Sequence, residues 1–250
     1  MQSRLRTFQR CIILLIVVFI SIQLLNQLLI YIGNNIIKIL SYQHHIEILI
    51  VGIVQQTLQI GVAILLSTIL LKSNLRDFGL NFWNFKRSIK YFLIFASSIL
   101  IIYFLYLIIV QYFIPNLWME LRSAPVLQRQ ELFTKLLFQS IFPGLGEELL
   151  FRGFLVTMLI NQLKPNVNKF LDIFSISILS GLFFAIAHIY FDITTFEITH
   201  IDTTQLLLAL FSGTCYSLMF IKTKSLLSPI LSHNFANVAS TIIGLLIVEM

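Results

Sequence analysis

The sequence predicts an all-α, polytopic transmembrane helical bundle of seven or eight spans. Hydrophobic residues make up 58% of the chain and charged residues only 11%, with a mean hydropathy of +0.90. A soluble domain carries roughly a quarter charged residues. Long apolar stretches also recur from one end of the chain to the other, and Lys and Arg gather in alternate connections between them.

A helix of about 20 apolar residues crosses the hydrocarbon core, at a rise of about 1.5 Å per residue. Seven stretches qualify: 11–32, 46–71, 89–114, 132–161, 171–190, 204–221 and 226–248. The first follows Arg4, Arg6 and Arg10 as a signal peptide would. Its apolar run is too long for one and no small-residue cleavage site follows, so it reads as a span. With the N-terminus in the cytoplasm, the inner segments hold Arg4, Arg6, Arg10, Lys72, Arg76, Lys86, Arg87, Lys90, Lys164, Lys169, Lys222 and Lys224. The outer loops hold Lys38, Arg122 and Arg129. Twelve against three predicts a multi-pass cell-membrane protein with a cytoplasmic N-terminus and an outer C-terminus.

That topology accounts for the net charge of +6. No basic run with interleaved aromatics points to nucleic acid, so the partners expected are membrane lipid and a membrane-associated protein or peptide. Cys11 and Cys215 both fall within spans and read as small apolar fillers rather than a disulfide framework. The polar connection 72–88, with Phe82, Trp83 and Phe85, reads as an interfacial segment at headgroup level. Phe142-Pro143-Gly144-Leu145-Gly146 interrupts the fourth stretch. Proline disturbs a helix interior, so two pieces are expected: one near 131–142 and a helix starting near Pro143.

Ionisable groups inside a span are costly and rare unless they face a cavity or one another. Here they gather in three of the last four stretches. In Glu147-Glu148-Leu-Leu-Phe-Arg152, Glu148 and Arg152 are four apart and share a helical face, so they can pair. Glu147 points elsewhere and is the less paired carboxylate, the condition wanted in a general base. The plainer reading is that all three charges only pack helices together. Phe184 and His188 share a face in the next group, where Gly181, Ala185 and Ala187 let a neighbouring helix approach closely. His233 and Asn237 project together in the last, while Asn234 points away. An amide NH₂ can stabilise an oxyanion where water is excluded. Singly each group is weak. Together they hold a candidate base, two imidazoles and an amide donor, the parts needed to add water to a carbonyl.

At these residues the sequence resembles the CPBP (Abi) family of CAAX prenyl endopeptidase-like intramembrane proteases, marked by EExxxR, FxxxH and HxxxN/B motifs in successive membrane helices. Glu147, Glu148 and Arg152, then Phe184 and His188, then His233 and Asn237 match them in order. The resemblance implies a catalytic core at 131–250, preceded by N-terminal helices at 1–130 without a recognisable motif. It implies that Glu147, with His188, activates the hydrolytic water, and that His233 and Asn237 stabilise the oxyanion. Glu148 belongs to the same catalytic set, while Arg152 and Phe184 give structural support. The expected activity is an intramembrane endopeptidase of glutamic or metallo type, working in CAAX-type, bacteriocin or leader-peptide processing.

No cofactor-binding residue is assigned, and a metal-free site is favoured. If a divalent metal such as zinc takes part, its ligands come from His188, His233 and Glu147 or Glu148, which would make the protein an intramembrane metalloprotease. Asn237 is a poor zinc ligand and a good oxyanion donor. Upright helices would place His188 about 25 Å and His233 about 10 Å along parallel spans. The expected resolution is that span five continues outward past His188, or re-enters within 191–203, and that a cytoplasm-facing cavity reaches mid-membrane. His44, His45 and His200 carry no assigned role, and Asp192, Glu197 and Asp202 read as solvated surface. The competing reading is a non-catalytic immunity or scaffolding protein of the same fold. A small transporter is a third, disfavoured because one broken segment does not make an inverted repeat.

Overall fold

The computed structural model describes residues 44–72, 74, 76, 78–166, 169–191, 195 and 197–249, with positions 16, 20, 27, 28, 31 and 32. The expected first span at 11–32, apart from those six positions, lies outside the described residues. So do Arg4, Arg6, Arg10, Cys11, Lys38, Asp192 and Thr194, and the side chains of His44, His45 and Glu47.

The chain is a multi-pass, all-α membrane protein. Helix α1 covers His44–Leu66 and continues through a π turn at Ser67–Leu71. Helix α2 is Phe85–Phe113 and α3 is Pro115–Arg122. A single rod then follows: α4 at Arg129–Glu148, a π-helical segment at Leu149–Val156, and α5 at Thr157–Leu163. Helix α6 is Phe170–Ile186, α7 is Thr203–Thr223 and α8 is Leu227–Glu249. Among the described residues, segments 49–71, 85–113, 203–223 and 227–249 are long and apolar enough to cross a membrane, and α6 is a shorter apolar helix.

Two expectations are corrected. Helix α4 is not broken at Pro143 but runs through it. The side chain of Asn234, on α8, repairs the backbone there: its Oδ1 accepts from the Gly144 N–H at 2.8 Å and its amide donates to the Ile141 carbonyl at 3.3 Å. Gly144 permits this approach, since a Cβ there would lie 2.7 Å from the Ile230 carbonyl. The second correction concerns span five, which does not continue outward. Helix α6 ends at Ile186, His188 sits in the turn that follows, and the chain folds into an antiparallel hairpin. Its strands are β1 (Tyr190–Phe191) and β2 (Ile198–His200), with Tyr190 opposite His200.

Asn234→Ala is expected to leave the Gly144 N–H without its partner and to cost about 1–3 kcal/mol. Thermal unfolding in detergent checks it, and an unchanged midpoint would contradict the bracing role.

Small residues bring α6 and α7 together. Gly181 and Gly213 face each other, and Ser217 Oγ donates to Ser180 Oγ at 3.0 Å. Segment 72–84 is more than an interfacial strip. Phe82 and Trp83 are exposed, but Phe78 is buried against Gly153. The segment is also tied to the α7–α8 turn: Leu226 N–H donates to Gly79 O, and the Asn81 and Asn84 amides donate to Lys224 O and Thr223 O. Gly79 has φ +101°, and a Cβ there would meet Phe220, so this docking depends on the glycine. The two loops therefore share one end of the bundle.

Candidate active site

Glu148 is the last residue of α4 before the helix widens into the π segment, and its side chain is fully buried. Its Oε1 accepts from Arg152 Nη1 at 2.9 Å and lies 2.7 Å from His233 Nδ1. Arg152 is also fully buried. Its Nη2 donates to Gly213 O at 2.9 Å, and its guanidinium lies 4.5 Å from the Phe184 ring centroid and 5.2 Å from that of Tyr216. A cation over aromatic faces out of water gains attraction that partly replaces lost hydration. A Cβ on Gly213 would sit 3.1 Å from Arg152 Nη2, so the guanidinium needs a glycine there.

One residue earlier, Glu147 keeps about a fifth of its side chain exposed. Gln56 Nε2, from α1, donates to its Oε1 at 3.4 Å, and its Oε2 stands 3.8 Å from His233 Nε2. The two adjacent carboxylates thus meet different environments: Glu148 is locked to a guanidinium, whereas Glu147 borders open space.

His188 follows the end of α6, and its Nδ1 lies 2.8 Å from Phe184 O. A carbonyl oxygen only accepts, so Nδ1 carries a hydrogen, and in the neutral ring Nε2 then has the lone pair. Phe184 is the ring both imidazoles share, with centroid distances of 4.8 Å to His188 and 5.7 Å to His233. Tyr216 stacks on His233 at 5.5 Å and 16°, and its centroid lies 6.5 Å from that of Phe184. The expected mismatch in depth is therefore met by packing both rings on Phe184.

Two cavities adjoin these groups. The larger, about 510 Å³, is lined by His188, His233 and Asn237 along with Tyr103, Ser212 and Tyr216. The smaller, about 60 Å³, is lined by Glu147, His188, Gln55, Gln59, Gln27 and Tyr190 among others. That volume has room for water beside a carboxylate and an imidazole. His188 borders both. Among the described residues, the lining of the larger cavity includes none from the basic loops and reaches Leu121, Asp202 and Ile247 at the opposite end. Helix ends alone do not show which of two stacked levels is hollow.

Glu147, Glu148, His188, His233, Asn237, Arg152 and Phe184 thus lie in one connected region. Sequence reasoning missed Gln56, Gln59, Asn234 and Tyr216. Gln55, Gln56 and Gln59 carry a signal, since three amides in one turn of an apolar span need polar partners. Tyr216 carries none beyond its presence in a span. The imidazole nitrogens and the carboxylate suit zinc as donors. Among the described residues, however, no three such groups converge in an arrangement that could hold a metal ion.

Comparison with curated proteins and with solved structures gives no match. Residues 129–239, under half of the chain, match the family model described as "Type II CAAX prenyl endopeptidase Rce1-like". That stretch runs from the first residue of α4 to two residues past Asn237 and contains every motif residue above. Over residues 129–239 the chain is thus similar to the Rce1-like type II CAAX prenyl endopeptidases.

Proposed function

We propose that this chain is an intramembrane endopeptidase that hydrolyses a peptide bond in a membrane-associated protein or peptide, using water activated by Glu147 and His188. The observation that carries this reading is the small cavity that Glu147 and His188 line together, next to the larger one shared by His188, His233 and Asn237.

In this mechanism a water in the small cavity donates one hydrogen to Glu147 and is oriented by the Nε2 lone pair of His188. Its oxygen adds to the scissile carbonyl, and its proton passes to Glu147. The carbonyl oxygen becomes an oxyanion facing the Asn237 NH₂ and His233 Nε2, the latter acting as donor when that nitrogen is protonated. Glu148 holds His233 Nδ1 and so sets the direction of Nε2. Collapse of the intermediate breaks the C–N bond, and Glu147 returns the proton to the leaving amine.

No metal is needed for these steps, and the neutral amide of Asn237 suits an oxyanion better than zinc. Desalted, chelator-treated protein in detergent is therefore expected to keep most of its activity on a cleavable peptide. Loss of activity that returned with stoichiometric zinc would overturn the metal-free scheme.

A further inference from the structure

Among the described residues, most basic side chains in and beside the connections fall at one end of the bundle. Segment 72–84 is hydrogen-bonded to the α7–α8 turn, which puts Lys72 and Arg76 at the same end of the bundle as Lys222 and Lys224. Phe170, at the start of α6, lines one groove with Lys222 and Tyr91, so Lys164, Lys169, Lys86, Arg87 and Lys90 belong to the same end. The other end carries Arg122, Arg129 and Lys135. Nine basic residues against three mark the first end as cytoplasmic.

The large cavity lies wholly on the other side of the site. From its floor at Tyr216 and His233 it runs past Tyr106 and Gln205 to Leu121, Asp202 and Ile247. Among the described residues, none from the basic loops lines it. The lining also has a chemical bias: among the described residues, hydroxyls and amides accompany the two imidazoles, Asp202 is the one carboxylate, and no Lys or Arg takes part. Capture of a substrate's C-terminal carboxylate calls for a guanidinium, an ammonium or a nest of backbone N–H groups. Asp202 uses one oxygen to cap α7, accepting from Gln205 N–H at 3.0 Å, and is exposed at the mouth. It would repel a terminal carboxylate and attract a cationic side chain.

We propose that the cavity opens to the non-cytoplasmic face and admits exported membrane-associated peptides, cut at an internal bond without recognition of a C-terminal carboxylate. The substrate part of this inference rests on the protease reading above; the direction of opening does not. It is tested in the full chain after Cys11→Ser and Cys215→Ser, with Ser240→Cys in the cavity or Trp83→Cys at the basic end. A membrane-impermeant maleimide is expected to label Ser240→Cys in intact cells and Trp83→Cys only after permeabilisation. Thr204→Cys, at the mouth, replaces Ser240→Cys if the latter does not fold. Labelling in the reverse pattern, or a cavity cysteine that stays unlabelled even after permeabilisation, overturns the inference.

Purified protein is then given one basic peptide with its C-terminus free or amidated. Rates within about threefold of each other support internal cleavage, and a loss above about tenfold on amidation overturns it. Outward labelling with no cleavage of either peptide would instead refute the protease reading and leave the direction of opening established.

Discussion

Glu147→Gln is expected to lower turnover by at least about 10²-fold, the usual cost of losing a general base, while the protein still folds and inserts. The amide keeps the shape of the side chain and can still meet Gln56 and His233, but it cannot take a proton from water. His188→Gln is expected to fall in the same range, because both residues act on one water in the small cavity they share. Residues that act as a unit are strongly non-additive. The double variant is therefore expected to be little worse than either single one, measured as turnover at saturating peptide. Independent, multiplying losses would separate the two side chains and contradict the shared-water geometry.

Arg152→Ala is expected to act on stability before it acts on chemistry. It removes the guanidinium that binds Glu148 at 2.9 Å in a place with no exposed surface, and leaves Glu148 with His233 as its remaining partner. Breaking a buried ion pair from one side costs about 3–5 kcal/mol, a large part of the roughly 5–15 kcal/mol that keeps a protein folded. It also empties the space beneath the Phe184 and Tyr216 rings. Arg152→Met with Glu148→Gln is expected to recover much of the loss, because no buried charge is stranded. Thermal unfolding in detergent reads both variants. A fully stable Arg152→Ala protein would show that the pair does not hold this part of the bundle.

The Glu148–Arg152 pairing was legible in the sequence because it depends on helical spacing alone, and so was the separation of Glu147 from it. The same holds for the faces shared by Phe184 with His188 and by His233 with Asn237. What lay beyond reach is what one helix does to another. Pro143 reads as a break until Asn234, 91 residues later, is seen to satisfy the backbone on either side of it. Asn234 does point away from the His233 face, as its position requires, but its destination is set by how α8 lies on α4. Gln56 and Gln59 sit in a segment without a motif and join the site only because α1 packs on α4 beside Gly146, where a Cβ would strike Gln56. Span five was expected to run on past His188, since hydropathy does not register a turn followed by a short hairpin. The direction of the cavity depends on which layer between helices is left unfilled, and spacing does not record that.

Purified protein in detergent, incubated with membrane-associated peptides and followed by mass spectrometry, tests the central claim most directly. The account predicts a defined pair of fragments from the wild-type chain, and none above background from Glu147→Gln protein with the same unfolding midpoint. Intact peptides with folded wild-type protein, or the same fragments from Glu147→Gln at an equal rate, would contradict it.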